Sequence, residues 1–555
     1  MLILTYDLGT TAVKTSLYKH YQGHFQLIDA EVEEYGLTVL PNGGAEQDPD
    51  EWWEKVCDTT AALSHRNPQQ MAEVEGISFC AQMQALVLVD EHINVLRPSM
   101  NYMDQRGAAQ QRALFDRGIK ISGMNASALL RSLSHTGVAS ASAKDPVWKY
   151  LWVKANEPDV YAHIYKWLDV KEYIAARMTG VCVRSEDSAF STLLVDKKSD
   201  GRAWSKAECA MLGVDIAHLP PIVSSTAVVG KLRAVQAAEL GLRPGIPVFA
   251  GGGDASLISV GAGAGMLGAT HIYWGTSGWV GTIINKPTVD IQTMIAAVTG
   301  AEHGLFNYFA ELGTAGKCFQ WVRDHLAADE INMYVNPSAV TDDPESVYES
   351  MYDYMGTVVE QAPAGSGGVI FAPWLHGNRS PFEDPFVRGM FFNLGIETGK
   401  SELIRAVLEG VCMHLRWILE SSQRKVQTSK VIRFAGGGAL SPVTAQILAD
   451  VLGRPVETVD SPQNVGGVGA AMLVAVGLGA YATIAQASAQ VKANHRYEPN
   501  PTNRAIYDRN FKIFTMLYHA NRKIYKIMNE SDDGGAGRSA LDAQAAARAT
   551  FTGAQ

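Results

Sequence analysis

No two cysteines in this 555-residue chain are spaced as C-x-x-C. The six present stand singly at 57, 80, 182, 209, 318 and 412, so a zinc knuckle or dithiol redox centre has no motif to build on. Scattered thiols of this kind fit burial in a reducing cytosol. A basic surplus is also missing: 47 Lys and Arg stand against 57 Asp and Glu, a formal charge of −10. That balance argues against nucleic acid or an anionic membrane as the main partner. Long apolar runs are absent too. The most apolar stretch, near 246–282, is dense in glycine and interrupted by Asp254, which gives no prospect of a transmembrane helix. The opening MLILTYDLGTT has no basic lead and soon reaches Asp7, unlike a secretory signal, so a cytoplasmic location is expected.

What is present is ample apolar material, 47% of the residues, enough for roughly two to four domains. LILTY at 2–6, Gly9-Thr10-Thr11 and VKTSLY at 13–18 read as strand, turn, strand. Glu51–Leu63 has helical apolar spacing with Asp48-Pro49 as its start. Glu75–Asp90 reads as two buried strands around a polar centre, and Pro146–Ala155 and Asp169–Met178 as helices. Gly251–Gly268 reads as a glycine-rich crossover. THIYWGTSGWVGTIIN at 270–285 then repeats the opening hairpin pattern, which suggests a duplicated architecture. Val431–Phe434, the glycines 436–438 and a helix through Leu452 make a strand, loop, helix unit. Alternating strands and helices throughout predict an α/β protein. The tail from Ser531, rich in Gly and Ala, is expected to be a flexible extension.

Phosphate groups require close backbone approach and several inward N–H donors, which glycine permits and Thr or Ser hydroxyls supplement. Asp7-Leu8-Gly9-Thr10-Thr11 and Gly275-Thr276-Ser277-Gly278 both meet that requirement. Each alone is equally an ordinary hairpin; with the third loop at 436–438 they favour nucleotide binding. Asp7 could hold Mg²⁺ beside the first loop. Asp254 closes the run FAGGGD, where a carboxylate at a sharp turn could accept the proton of a hydroxyl attacking a phosphoryl group. The plain alternative is an Asx turn. Gln82-Met83-Gln84, between apolar runs, and Asn101–Arg106 supply amides, carboxylate, Arg and aromatic face of the kind a sugar site uses. As residues between apolar segments, Gln82 and Gln84 should need buried partners.

Three look-alikes fail on context. GIETGKS at 395–401 has three residues between its glycines where a P-loop has four. GAGMLG at 263–268 precedes a strand-like ATHIYW, not the helix a dinucleotide fingerprint needs. Asn125 and Asn378 head glycosylation triplets that lack a secretory context.

Taken in order, the motifs make the chain from about 1 to 525 resemble the FGGY carbohydrate kinases, most of all the xylulose kinases among them. YDLGTT at 6–11 and WGTSG at 274–278 resemble the family's two phosphate loops, GGGD at 251–254 its catalytic segment, and GGGA at 436–439 its adenosine loop. PVWKYLW at 146–152, Gly389–Glu409 and FAPWLHGNRSPFEDP at 371–385 resemble further family segments. The resemblance implies an actin-like ATPase fold of two ribonuclease-H-like domains flanking a nucleotide cleft. It divides the chain into a sugar-binding N-terminal domain (1–258), a nucleotide-binding C-terminal domain (259–490), a helical segment (491–530) and the tail (531–555). It implies ATP, Mg²⁺ and a sugar as ligands, with a homodimer usual for such kinases. Carried over, Gly9, Thr10, Thr11, Gly275, Thr276, Ser277, Gly316, Gln320, Gly437 and Gly438 would bind nucleotide, with Lys317 as a further candidate. Gln82, Met83, Gln84, Asp104 and Asp254 would bind the sugar, with Asp254 as general base and Asp7 on the metal.

The chain departs from the usual bacterial xylulose kinase pattern at the sugar. Met83-Gln84-Ala85 stands for Met-His-Gly, Ala255 for an Asn, Tyr102-Met103 for a Trp-Asn pair, and Asn393 for a Gly in the second signature. Ribulose, gluconate, glycerol and erythritol therefore stay open as acceptors beside xylulose. A non-catalytic sugar or nucleotide sensor on the same scaffold is the reading from another class; retention of both Asp7 and Asp254 speaks against it.

Overall fold

A computed structural model of the chain describes residues 1–116, 118–121, 124–290, 292–293, 295–326 and 351–530, with side chains in the last span from 355 onward. The tail at 531–555 lies outside the described residues. The rest divides into two compact units.

The first unit comprises Met1–Met266, Val298–Phe306 and Gly466–Val491. Its sheet runs in the order Val228–Lys231, Pro247–Phe249, Val74–Ala81, Leu2–Leu8, Ala12–Tyr21, His24–Glu34, with Gly252–Gly253 paired to the end of Val74–Ala81. Leu2–Leu8 is buried because Ile3, Leu4, Tyr6 and Leu8 all lie inside. It pairs antiparallel with Ala12–Tyr21 and parallel with Val74–Ala81. The helix Pro49–Arg66 begins as expected: Asp48 caps it, accepting the Asp50 amide at 2.9 Å, and proline takes the first position, where its missing N–H is harmless. Its buried residues Trp52, Val56, Thr59, Thr60 and Leu63 include two hydroxyls that meet the sheet, Thr60 with Tyr6 (2.9 Å) and Thr59 with Thr15 (2.7 Å). Helices Pro146–Asn156 and Val170–Thr179 follow the sequence expectation within a residue or two.

The second unit comprises Leu267–Ala297, Asn307–Val465 and Lys492 onward. Its sheet runs Val289–Asp290, Ile295–Thr299, Phe306–Leu312, Gly278–Ile284, Thr270–Trp274, Ile432–Ala435, Val456–Glu457, Arg496–Tyr497. Thr270–Trp274 is antiparallel to Gly278–Ile284 and parallel to Ile432–Ala435. This is the arrangement of Leu2–Leu8 in the first unit: a hairpin whose first strand takes a parallel neighbour on its other side. The hairpin resemblance seen in sequence is thus a resemblance of sheets.

The stretch 251–268 is more regular than a glycine crossover. Gly252–Gly253 is a short strand, and Asp254 is the first residue of the helix Asp254–Gly261. The two glycine look-alikes among the three behave as their contexts indicate: 395–399 leads into the helix Lys400–Ser422, and 263–268 into the strand Thr270–Trp274. No described helix is long and apolar enough to cross a membrane.

Candidate active site

In the first unit, sheet register brings the acidic residues together. Asp7 and Gly252 both pair with Cys80 across parallel strands, so the Asp7 and Gly252 backbones sit about 10 Å apart, two strand spacings. Asp254 follows two residues later, at the same sheet end. Its Oδ1 accepts the Ala255 amide at 2.7 Å, so this half-buried carboxylate sits in the first turn of its own helix, where the helix dipole favours its charge. Asp187, buried, clasps that turn from outside: its Oδ2 accepts the Gly253 amide at 2.7 Å and the Ser256 hydroxyl, while its Oδ1 accepts the Ser188 amide at 2.8 Å. Loss of water pushes the Asp7 carboxyl upward, an effect opposed by Lys14 and by a hydrogen bond with Cys80. Burial, with Asp7 and Asp254 nearby, pushes the Cys80 thiol well above its ordinary value, so it is no nucleophile here.

The first glycine turn is tight, Gly9 N–H donating to Ala12 O at 2.9 Å. Its three carbonyls are held: Gly9 O by the Tyr35 hydroxyl, Thr10 O by Gln47 Nε2 at 2.8 Å, and Thr11 O by the Tyr35 amide at 3.0 Å. The second turn, in the other unit, is held in the same sense. Gly275 N–H donates to Ser277 O at 2.8 Å, and the first amides of the helix Ala315–His325 take its carbonyls: Gly316 N–H to Gly275 O at 3.0 Å and Lys317 N–H to Thr276 O at 3.2 Å. A Cβ on Gly316 would stand 2.4 Å from Gly275 O, so only glycine admits this approach. Gln320 lies one helical turn on, on the same face. The strand partner of Tyr273 is Ala435, which places Gly436, Gly437 and Gly438 beside the end of Thr270–Trp274. Gly275, Thr276, Ser277, Gly316, Gln320, Gly437 and Gly438 therefore form one cluster in the second unit, with Thr276 and Gly437 exposed.

The residues expected at the sugar also gather in the first unit. Met83 lies over the Asp254 turn so closely that a Cβ on Gly253 would come within 2.2 Å of its sulfur. Gln82 finds the buried partners its surroundings demand: Nε2 donates to Gln47 Oε1 (2.9 Å), and Oε1 accepts from Asn101 Nδ2 (3.0 Å). Since Gln47 also holds Thr10 O, an amide ladder links the first glycine turn to Gln82 and Asn101. Gln84 adopts a left-handed conformation, with φ of 68°. Asp104 is fully buried, its Oδ2 accepting from Ala45 N (2.9 Å) and Arg106 Nη2 (2.6 Å), its Oδ1 from Arg106 N (3.0 Å). Asn101 lies in a segment already marked by its polarity, whereas Gln47, Lys149, Asp169 and Asp187 are side chains of this region that motif reading passed over. The one signal available was polarity inside apolar runs, clearest for Lys149 within PVWKYLW.

Comparison with known proteins gives the family and the fold. Residues 2–261 match the N-terminal domain, and residues 271–478 the C-terminal domain, of the FGGY family of carbohydrate kinases. The xylulose kinase of Bacillus subtilis (strain 168) is 26% identical over 521 residues, 93% of this chain and 96% of that protein. A gluconokinase of Bacillus licheniformis is also 26% identical, over 94% of this chain and 96% of its own length. The crystal structure of a ligand-bound xylulose kinase from Lactobacillus acidophilus aligns with a TM-score of 0.81 at 25% identity, covering 95% of this chain and 99% of that one. The fold is accordingly the actin-like ATPase fold, α/β with two similar domains.

Proposed function

The chain belongs to the FGGY family of carbohydrate kinases and is an ATP-dependent sugar kinase; from that premise we propose that it converts xylulose to xylulose 5-phosphate with Asp254 as general base. In this reading residues 1–258 carry the acceptor sugar and 259–490 the nucleotide. The sugar hydroxyl oxygen attacks the γ-phosphorus in line, the bond from that phosphorus to the bridging oxygen breaks, and ADP leaves with the electron pair. The hydroxyl proton passes to the Asp254 carboxylate. Asp187 holds the Gly253 amide and Ser256 hydroxyl, so the turn that carries Asp254 is fixed before substrate arrives. The tied-in carbonyls of both glycine turns favour an outward face of amides and hydroxyls for phosphate oxygens.

Mg²⁺ fits the residues present. It commonly takes one or two carboxylates and completes its shell with phosphate and water, and Asp7 supplies a hard oxygen beside the first turn. Bound there with ATP, it would neutralise phosphate charge.

The observation that favours xylulose over gluconate is charge. The cations at the acceptor segments are already engaged: Arg106 by Asp104 and Glu46, Arg97 by Glu46 and Glu157, and Lys149 by two carbonyls. A neutral ketose fits that balance better than a carboxylate acceptor. The similarity to a gluconokinase keeps gluconate as the second reading. The test is ADP release measured with ATP, Mg²⁺ and a panel of D-xylulose, D-ribulose, gluconate, glycerol and erythritol. The highest kcat/KM is expected with D-xylulose. A higher value with gluconate would overturn the acceptor assignment.

A further inference from the structure

The peptide around Gln84 is gripped from both sides. Its amide and that of Ala85 donate to the two oxygens of Asp169, at 2.9 and 3.0 Å. Its carbonyl accepts from the Lys149 ammonium at 2.7 Å. The same ammonium donates to Asn101 O at 2.8 Å, just before Tyr102-Met103-Asp104. Lys149 is wholly buried and Asp169 nearly so. Charges buried this deeply are costly unless well partnered, and a methionine would fill the lysine's place without that cost. Both residues sit on rigid supports. Lys149 lies in the helix Pro146–Asn156, whose neighbours Trp148, Tyr150 and Val153 are core residues. Asp169 caps the helix Val170–Thr179 by accepting the Val170 amide at 2.9 Å. Between them they hold a non-glycine residue in a left-handed conformation that a free chain would leave.

We propose that Lys149 and Asp169 are positioning residues that fix Gln84, through the peptides on both its sides, against Asn101 and thereby set affinity and selectivity for the sugar. This rests on the reading of 82–84 and Asp104 as the acceptor site. Lys149 touches two separate acceptor segments at once, so removing its charge releases both while leaving the glycine turns of the second unit unaltered. The two charges coexist over a limited range. Burial lowers Lys149 to about 8, against the attraction of Asp104, Asp169 and Asp145 and with Lys144 adding to the lowering. Burial raises Asp169 to about 6, with Arg184 opposing and Glu172 adding to the rise. The grip is fullest midway between those values and weakens as Lys149 loses its proton or Asp169 gains one.

The experiment is steady-state kinetics of the full chain with D-xylulose and ATP, comparing Lys149→Met, Lys149→Arg and Asp169→Asn with the parent. Lys149→Met is expected to raise the sugar KM about tenfold or more while the ATP KM stays within about twofold. The parent's sugar KM should rise as pH passes through about 8, and Lys149→Arg, charged throughout, should not show that rise. A purely structural lysine would lower the melting temperature and leave the sugar KM and its pH profile unchanged, which overturns the proposal. Equal rises in both KM values overturn it as well. Should Lys149→Met fail to fold, the parent's pH profile and the near-isosteric Asp169→Asn decide: no change in sugar KM in either refutes the grip. Gln84→Ala separates the two levels. A changed sugar KM there with none in Lys149→Met sinks this inference alone; no change in Gln84→Ala and Asp104→Asn sinks the acceptor site and this inference with it.

Discussion

The turns at Gly9–Thr11 and Gly275–Ser277 close hairpins of the same design, yet different chemistry holds them. In the first unit two of the three carbonyls are taken by side chains, the Tyr35 hydroxyl and the Gln47 amide, and the third by the Tyr35 backbone amide. In the second unit the backbone does it, through the opening amides of the helix Ala315–His325. Their surroundings differ in the same way. The first turn adjoins Asp7 and a ladder of buried amides, with Asp254 and Asp187 at the same end of its sheet; the second adjoins a helix start and a glycine triplet. One architecture is used twice, once beside titratable side chains and once beside backbone donors. A helix N-terminus favours anionic groups without any side-chain charge, whereas proton transfer requires a group that can change its protonation state.

The sharpest way to break this contrast is Asp254→Asn. Turnover by coupled ADP release is expected to fall about 10²-fold or more, with the sugar KM little changed; near-parent turnover would remove Asp254 from the chemistry. Next is Gly316→Ala, whose methyl would press on Gly275 O. The ATP KM should rise roughly tenfold while the sugar KM holds, and a rise in the sugar KM instead would deny the second unit its separate role. Gln47→Ala strips the ladder of its central member, leaving Thr10 O, Gln82 Nε2 and Asn101 Nδ2 each short of a partner. Urea titration should show a loss of about 1–3 kcal/mol, and an unchanged midpoint would mean the ladder is idle. The smallest effect concerns His303, whose ring lies 2.8 Å from Glu186 and 2.9 Å from Asp200. Glu186 first, and then Asp200, raise it above its ordinary 6.5. A raised folded value means the stability contribution is full below about 6.5 and fades as pH climbs through the higher value. His303→Gln should flatten that slope of melting temperature against pH.

These contrasts also explain what could be read from the chain alone. Hairpins, the Asp48 cap and the glycine turns were legible because each depends on local rules: alternation, a capping oxygen, a residue without Cβ. The clustering of Gly316 and Gly436–Gly438 around the second turn was legible only through family resemblance, since about 40 and 160 residues separate those segments from it. Asp254 as a helix start was misread as a crossover turn, because three preceding glycines mask the helical continuation ASLISVG. The grip of Lys149 and Asp169 was not legible at all. Nothing in PVWKYLW says that its lysine reaches two carbonyls about 50 and 65 residues away, because buried polar pairing is decided by tertiary packing.

The division of labour between the two units is tested most directly by amide hydrogen exchange with one ligand at a time. D-xylulose alone should protect 83–85 and 254–256, and ADP with Mg²⁺ alone should protect 275–277, 316–317 and 436–438. Protection of 275–277 by the sugar alone, or of 83–85 by ADP alone, would contradict the account.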